Sequence, residues 1–141
     1  MRDTPPPWDA PRDAISYIEA AGLTQQPLNA TANQRIFTLR VTVDGGPVTV
    51  PAYLGVDRLR AVQAVIHTHD ESGQVWLEGD EVYSATLSQL FTLWGVRFDD
   101  ECLGSACGGI TVTADGAPVA DPGGLLLADV GDVLEVSAVS R

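Results

Sequence analysis

Lysine is absent from this 141-residue chain, and each of its eight basic side chains is an arginine. That absence excludes Schiff-base chemistry, a catalytic amine and the lysine of a phosphate-binding P-loop. Histidine and cysteine are scarce, with two of each. No run of eighteen apolar residues occurs, so no segment reads as a membrane-spanning helix. No stretch has the apolar core of a signal peptide either. Positive charge is thin throughout: eight cations against nineteen carboxylates leave a net charge of −11. Such a surface repels phosphate backbones and anionic lipid, which excludes a nucleic-acid partner. A membrane is reachable only through an anchor upstream of these residues. A cation, a protein or a small ligand remains compatible.

The hydrophobic fraction of 45% and charged fraction of 19% are those of an ordered chain with its own core. Nine prolines and fourteen glycines favour turns and short strands over a helical bundle. Met1–Pro11 holds four of those prolines and reads as a disordered, extended leader, leaving a single domain over 12–141.

Ile15, Ile18 and Leu23 at helical spacing predict a short amphipathic helix over Ala10–Gly22, stopped by the glycine. Arg35–Val43 alternates strictly and predicts a strand with Phe37, Leu39, Val41 and Val43 on one face. Asp44-Gly45 then signals a tight hairpin into an extended run, Pro47–Tyr53, because both turn residues accept positive φ. A further strand is expected over Ala61–His69, a turn at Asp70–Gly73, and a returning strand at Gln74–Glu78. Leu87, Leu90, Phe91 and Trp94 predict a second helix over Ser84–Trp94, capped by Ser84 or Thr86 and closed by Gly95. Strands follow at Val96–Phe98, Ile110–Ala114, Pro118–Ala120 and Val133–Val139. Residues 41–51 and 112–122 share seven of eleven positions, each a strand, an Asp-Gly turn and a second strand. Similar turn physics explains that echo more simply than duplication. The fold class that follows is α+β: a mostly antiparallel, twisted sheet of hairpins with one packed helix and an N-terminal helix, β-grasp-like in its C-terminal half.

The two histidines stand together in Ile66-His67-Thr68-His69-Asp70. On an extended strand, residues two apart share a face, so both imidazoles project to one side. Two imidazoles suit zinc or copper, with Asp70 adjacent and Glu78 on the hairpin return as carboxylates. The other reading is structural, with each imidazole bonding the hairpin that carries it. Ser72 beside His69 and Asp70 has the composition of a catalytic triad. Triads, however, gather from separated segments around an oxyanion hole, so no enzyme is expected. Cys102 and Cys107 flank a four-residue loop and can close a disulfide; their spacing fits neither a redox Cys-x-x-Cys pair nor a zinc knuckle. A pair of that kind leans toward an oxidising compartment.

These pieces together resemble a family of uncharacterised, often secreted or membrane-anchored domains common in actinobacteria. The likeness rests on Ala21-Gly22-Leu23, Val43-Asp44-Gly45 and Leu54-Gly55-Val56-Asp57, then His67-Thr68-His69-Asp70 with Ser72-Gly73 and Glu78. It continues through Thr86–Phe91, Trp94-Gly95-Val96, Cys102-Leu103-Gly104 and the Asp115-Gly116 turn. The resemblance implies an exported or anchored domain and carries no established activity. Members of the family often place further histidines before the first Asp-Gly turn; the matching positions here are Gln34, Ile36 and Thr38.

Two functions follow as expectations. The first is a non-enzymatic, extracytoplasmic domain that binds a protein or small ligand through His67, His69, Asp70 and Trp76. The second is a zinc or copper domain using His67, His69, Asp70 and Glu78.

Overall fold

The computed structural model describes residues 1–141. Its elements in chain order are helix α1 (Ala14–Ala20) and strands β1 (Gln26–Pro27), β2 (Arg35–Val43), β3 (Gly46–Val48), β4 (Val56–Asp57), β5 (Val62–Gln63), β6 (Ile66–His67) and β7 (Gln74–Leu77). Helix α2 (Leu87–Trp94), β8 (Ile110–Ala114), β9 (Ala117–Pro118), a 3-10 turn at Leu127–Asp129 and β10 (Val133–Ala138) complete the chain. The expected α+β class is what the chain adopts.

The large sheet has the order β6-β7-β2-β10-β8-β9, with β3 also on β2; β1, β5 and β4 make a smaller sheet. β10 runs parallel to β2 at the centre, and the other neighbours are antiparallel. The grasp-like arrangement expected of the C-terminal half therefore does not close within it. β10 needs β2, from the other half of the chain, as its second neighbour.

The strict alternation of β2 explains its place at the centre. Phe37, Leu39 and Val41 turn inward, where they join Val75 and Leu77 of β7 and Leu134 and Val136 of β10. Leu87, Leu90, Phe91 and Trp94 of α2 complete the same cluster. Helix α2 starts on a reciprocal cap in which Thr86 Oγ1 accepts from Gln89 N and Gln89 Oε1 accepts from Thr86 N. It stops at Gly95, whose φ of 71° a residue with a Cβ adopts only with strain.

The echoed hairpins share more than their turns. Asp44-Gly45 and Asp115-Gly116 all have positive φ, the backbone that lets a two-residue turn follow the twist of its strands. Each aspartate also ties down one end of β10. The Asp115 carboxylate accepts the N–H groups of Gly131, Asp132 and Val133 at 2.7, 2.7 and 3.0 Å. Asp44 takes the N–H and hydroxyl of Ser140 at 2.8 and 2.7 Å. These bonds hold both carboxyls below the usual aspartate range. A carboxylate with a lowered folded pKa stabilises the fold above its unfolded value, near 3.9, and loses that contribution as pH falls through the folded one. Thermal melts of wild type and Asp115→Asn should therefore differ most at neutral pH and converge in acid. A gap that is independent of pH would reject the charge-based clasp.

Three expectations are corrected. The strand expected over Ala61–His69 is two strands in two sheets: Ala61 has φ 55° at the tip of a hairpin, β5 belongs to the small sheet and β6 to the large one. Residues Gln63 to Thr68 are all buried, a run without alternation that suits a segment covered on both sides rather than one lying on a single face. The extended run after Asp44-Gly45 pairs only as far as Val48, and at Tyr53 the backbone takes φ 59°. Val96–Phe98 makes isolated bridges, from Val96 to Arg2 and from Phe98 to Leu103, and no continuous strand.

The leader departs furthest from expectation. Residues 1–11 are packed into the domain: Trp8 is 2% exposed and meets Trp94 edge-on at 5.8 Å. Arg2 N–H donates to Gly95 O and Arg97 N–H to Arg2 O, while Ser105 N–H reaches Thr4 O. The Arg2 guanidinium also bonds the carbonyls of Trp94 and Gly95, which have no partner within α2. The prolines of this segment lack N–H groups and bar it from a sheet interior, but Trp8 and Arg2 supply the docking.

Candidate metal centre

The site lies on the face of the large sheet turned away from α2, at the β6 edge. Register places His67 opposite Trp76, and Trp76 opposite Ile36, so these three share that face. Glu78, two residues beyond Trp76, and Gln34, two before Ile36, follow the same alternation. Thr68, between the histidines, points the other way. Its hydroxyl accepts from Leu54 N at 3.0 Å and donates to Pro51 O at 2.6 Å. That anchor sends His67 and His69 to a common side.

His67 Nδ1 lies 2.8 Å from the Ala64 carbonyl, and Nε2 lies 2.9 Å from Glu78 Oε1. A carbonyl only accepts, so the proton of the neutral ring is on Nδ1. Burial pulls the His67 pKa below the usual histidine value, outweighing the upward effect of the Ala64 carbonyl and of Glu78. The contact has ion-pair distance, yet burial opposes charge on the imidazole, and desolvation is the larger influence on a ring with no exposed surface. Nε2 of a neutral ring and a carboxylate oxygen then face each other with lone pairs. The contact holds only with a positive charge between them, either a proton or a metal ion.

Glu78 is 5% exposed and well supported. Gln34 Nε2 donates to its Oε2 at 2.8 Å, Gln26 Nε2 to its backbone carbonyl at 2.6 Å, and its own N–H reaches Val65 O at 3.0 Å. His69 is the exposed member. Its ring stands edge-on to His67 at 5.2 Å and to Trp76 at 4.9 Å between centroids. One ligand atom from each of His67, His69 and Glu78 falls within 4.8 Å of the others. Chemically this is an N,N,O donor set of the kind zinc and copper accept. A ligating histidine whose far nitrogen is tied to a carbonyl, beside a carboxylate that is itself hydrogen-bonded, is the supporting arrangement metal sites require.

Of the residues singled out in the sequence, His67, His69, Glu78 and Trp76 come together. Asp70 does not. Its Oδ1 accepts the Ser72 N–H at 3.1 Å and hydroxyl at 2.5 Å, which closes the turn and holds its carboxyl below the usual range. The turn engages Oδ1, and Asp70 lies outside the three-residue cluster, so it is not among the ligands the structure gathers. Gln34 and the Ala64 carbonyl were not among the expected site groups. No sequence signal marks Ala64, since a main-chain carbonyl has no residue identity. Cys102 and Cys107 form the expected disulfide. No helix is long and apolar enough to cross a membrane. In comparisons with known proteins, the chain matches no family model, no curated protein and no solved structure.

Proposed function

We propose that this protein is a non-enzymatic transition-metal domain that binds zinc or copper through His67 Nε2, His69 and Glu78 Oε1. One observation carries the reading: His67 Nε2 and Glu78 Oε1 stand 2.9 Å apart, His69 completes a three-atom donor cluster with them, and the far side of each buried group is already hydrogen-bonded. A general ligand-binding domain would not need that pairing. The two surface cavities, of about 320 and 430 Å³, are lined by neither histidine nor by Glu78. The disulfide is compatible with an oxidising, extracytoplasmic setting, as the exported reading requires.

Calorimetric titration with zinc or copper at pH 7.5 tests the proposal. One equivalent should bind to wild type. His69→Ala is the informative variant because His69 is exposed, so its loss removes a ligand with little disturbance of the core. Loss of a direct ligand should exceed the 10- to 100-fold cost typical of an outer partner, weakening binding by more than about 100-fold. Gln34→Leu, which frees Glu78 Oε2, should weaken it by about tenfold. No heat with wild type, or an unchanged isotherm with His69→Ala, ends the metal reading.

A further inference from the structure

Three ligand atoms leave a four-coordinate ion one ligand short, and no fourth ligand, whether histidine, cysteine or carboxylate, joins the cluster. The chain contains no third histidine. Both cysteines are consumed by the disulfide. Asp70 lies outside the cluster, with its Oδ1 on Ser72, and Gln34 turns its Nε2, a donor that cannot ligate, toward Glu78. A metal site closed by protein on all sides is structural, whereas three protein ligands leave a position for an outside molecule.

The direction of that position follows from burial. His67 is 0% exposed and Glu78 5%, so they form the floor, while His69 is exposed and Trp76 half-buried beside it. The opening faces solvent where His69 and Trp76 meet. Charge narrows the ligand further. A divalent ion with two neutral imidazoles and one carboxylate carries a net charge of about +1, which one monoanion neutralises. The surrounding chain, at −11, disfavours a polyanion. Trp76 adds a donor. The indole N–H groups of Trp8 and Trp94 are bonded to Thr4 O and Trp8 O, but that of Trp76 meets no protein acceptor and is not buried. A planar monoanion with two oxygens uses both features, placing one oxygen on the metal and the other toward Trp76.

We infer that the metal of this site takes an exogenous carboxylate as its remaining ligand, with the Trp76 indole N–H as its second contact. This rests on the metal-binding reading above. Two sources supply that chemistry: a free small carboxylic acid, or the terminal carboxylate of a polypeptide partner.

The probe is the full chain loaded with one equivalent of cobalt(II), whose visible absorption reports its ligands. Acetate should change that spectrum saturably, and Trp76→Phe, which keeps a ring and removes the N–H, should weaken acetate by about tenfold, as expected for a lost hydrogen bond to a charged group. A short peptide with a free C-terminus is compared with its C-terminal amide. A peptide acid stronger than acetate, with an inert amide, assigns the position to a partner's terminus; acetate stronger than the peptide acid assigns it to small acids. Cobalt that binds but ignores both carboxylates overturns this inference alone. Failure of cobalt, zinc and copper alike to bind overturns the metal reading and this inference together; where zinc binds and cobalt does not, the same acetate titration is read by calorimetry on the zinc form.

Discussion

Replacing Trp8 with alanine should lower the unfolding free energy by about 3–5 kcal/mol, the range for deleting a large aromatic side chain from a packed site. The side chain is 2% exposed and stands edge-on to Trp94. Its backbone carbonyl accepts the Trp94 indole N–H at 2.9 Å, and its own Nε1 donates to Thr4 O at 3.1 Å. Gly104 is shaped around it, since a Cβ there would stand 2.4 Å from Trp8 Cζ2. Alanine cannot refill that space, and the strap at residues 1–11 loses its apolar anchor. Arg2 then holds the end of α2 through hydrogen bonds alone. Leu59→Ala is the control, because Leu59 is fully exposed at a hairpin tip and its loss should stay within about 0.5 kcal/mol. Urea unfolding of the three proteins reads both effects. A Trp8→Ala midpoint matching that of Leu59→Ala would mean that the strap adds nothing to the core.

Trp8 also shows where reading the chain by local pattern stops working. A segment rich in proline has few backbone donors, and composition alone assigns it to solvent. Its docking depends on Trp94, 86 residues away, and no window along the sequence contains both. Elements decided by near neighbours were legible. β2 is the expected Arg35–Val43 in full, because its alternation is strict. The two Asp-Gly turns were visible for the same local reason, as was the cap of α2, where Thr86 and Gln89 stand three apart. The Ala61–His69 segment failed because Ala64 and Val65 cross between two sheets, and burial on both faces erases the period that marks a strand.

The candidate centre divides along the same line. His67 and His69 were paired by a two-residue spacing that survives even though β6 ends at His67, since Thr68 holds the alternation through its bonds to Pro51 and Leu54. Glu78 was reachable from the hairpin. Asp70 was misassigned although its signal was present: an aspartate two before a serine at a turn caps that turn itself. Gln34 reaches Glu78 only because register sets Arg35 against Leu77, and register is not visible in either segment alone.

That buried pair carries the second large effect. His67→Ala should destabilise the metal-free protein by about 3–5 kcal/mol, because it leaves Glu78 Oε1 and the Ala64 carbonyl buried without their partner. Much of that cost belongs to the stranded groups rather than to lost attraction. Replacing both members with leucine, as His67→Leu/Glu78→Leu, should therefore recover a large part of it, since a well-packed apolar pair often equals or exceeds a buried polar one. Metal separates the variants again. At 100 times its dissociation constant, a ligand specific for the folded state adds about 2.7 kcal/mol to the wild type. Neither variant can collect that gain, because His67→Ala has lost one ligand atom and the double variant two. Zinc should therefore widen the gap between wild type and the double variant after apolar packing has narrowed it. A double variant as unstable as His67→Ala alone would show that the cost does not come from the stranded Glu78 carboxylate. An equal zinc response in all three proteins would place the metal elsewhere on the chain. The pair is thus expected to weaken the empty fold and strengthen the loaded one, the balance that suits a centre kept for its ligand rather than for the core.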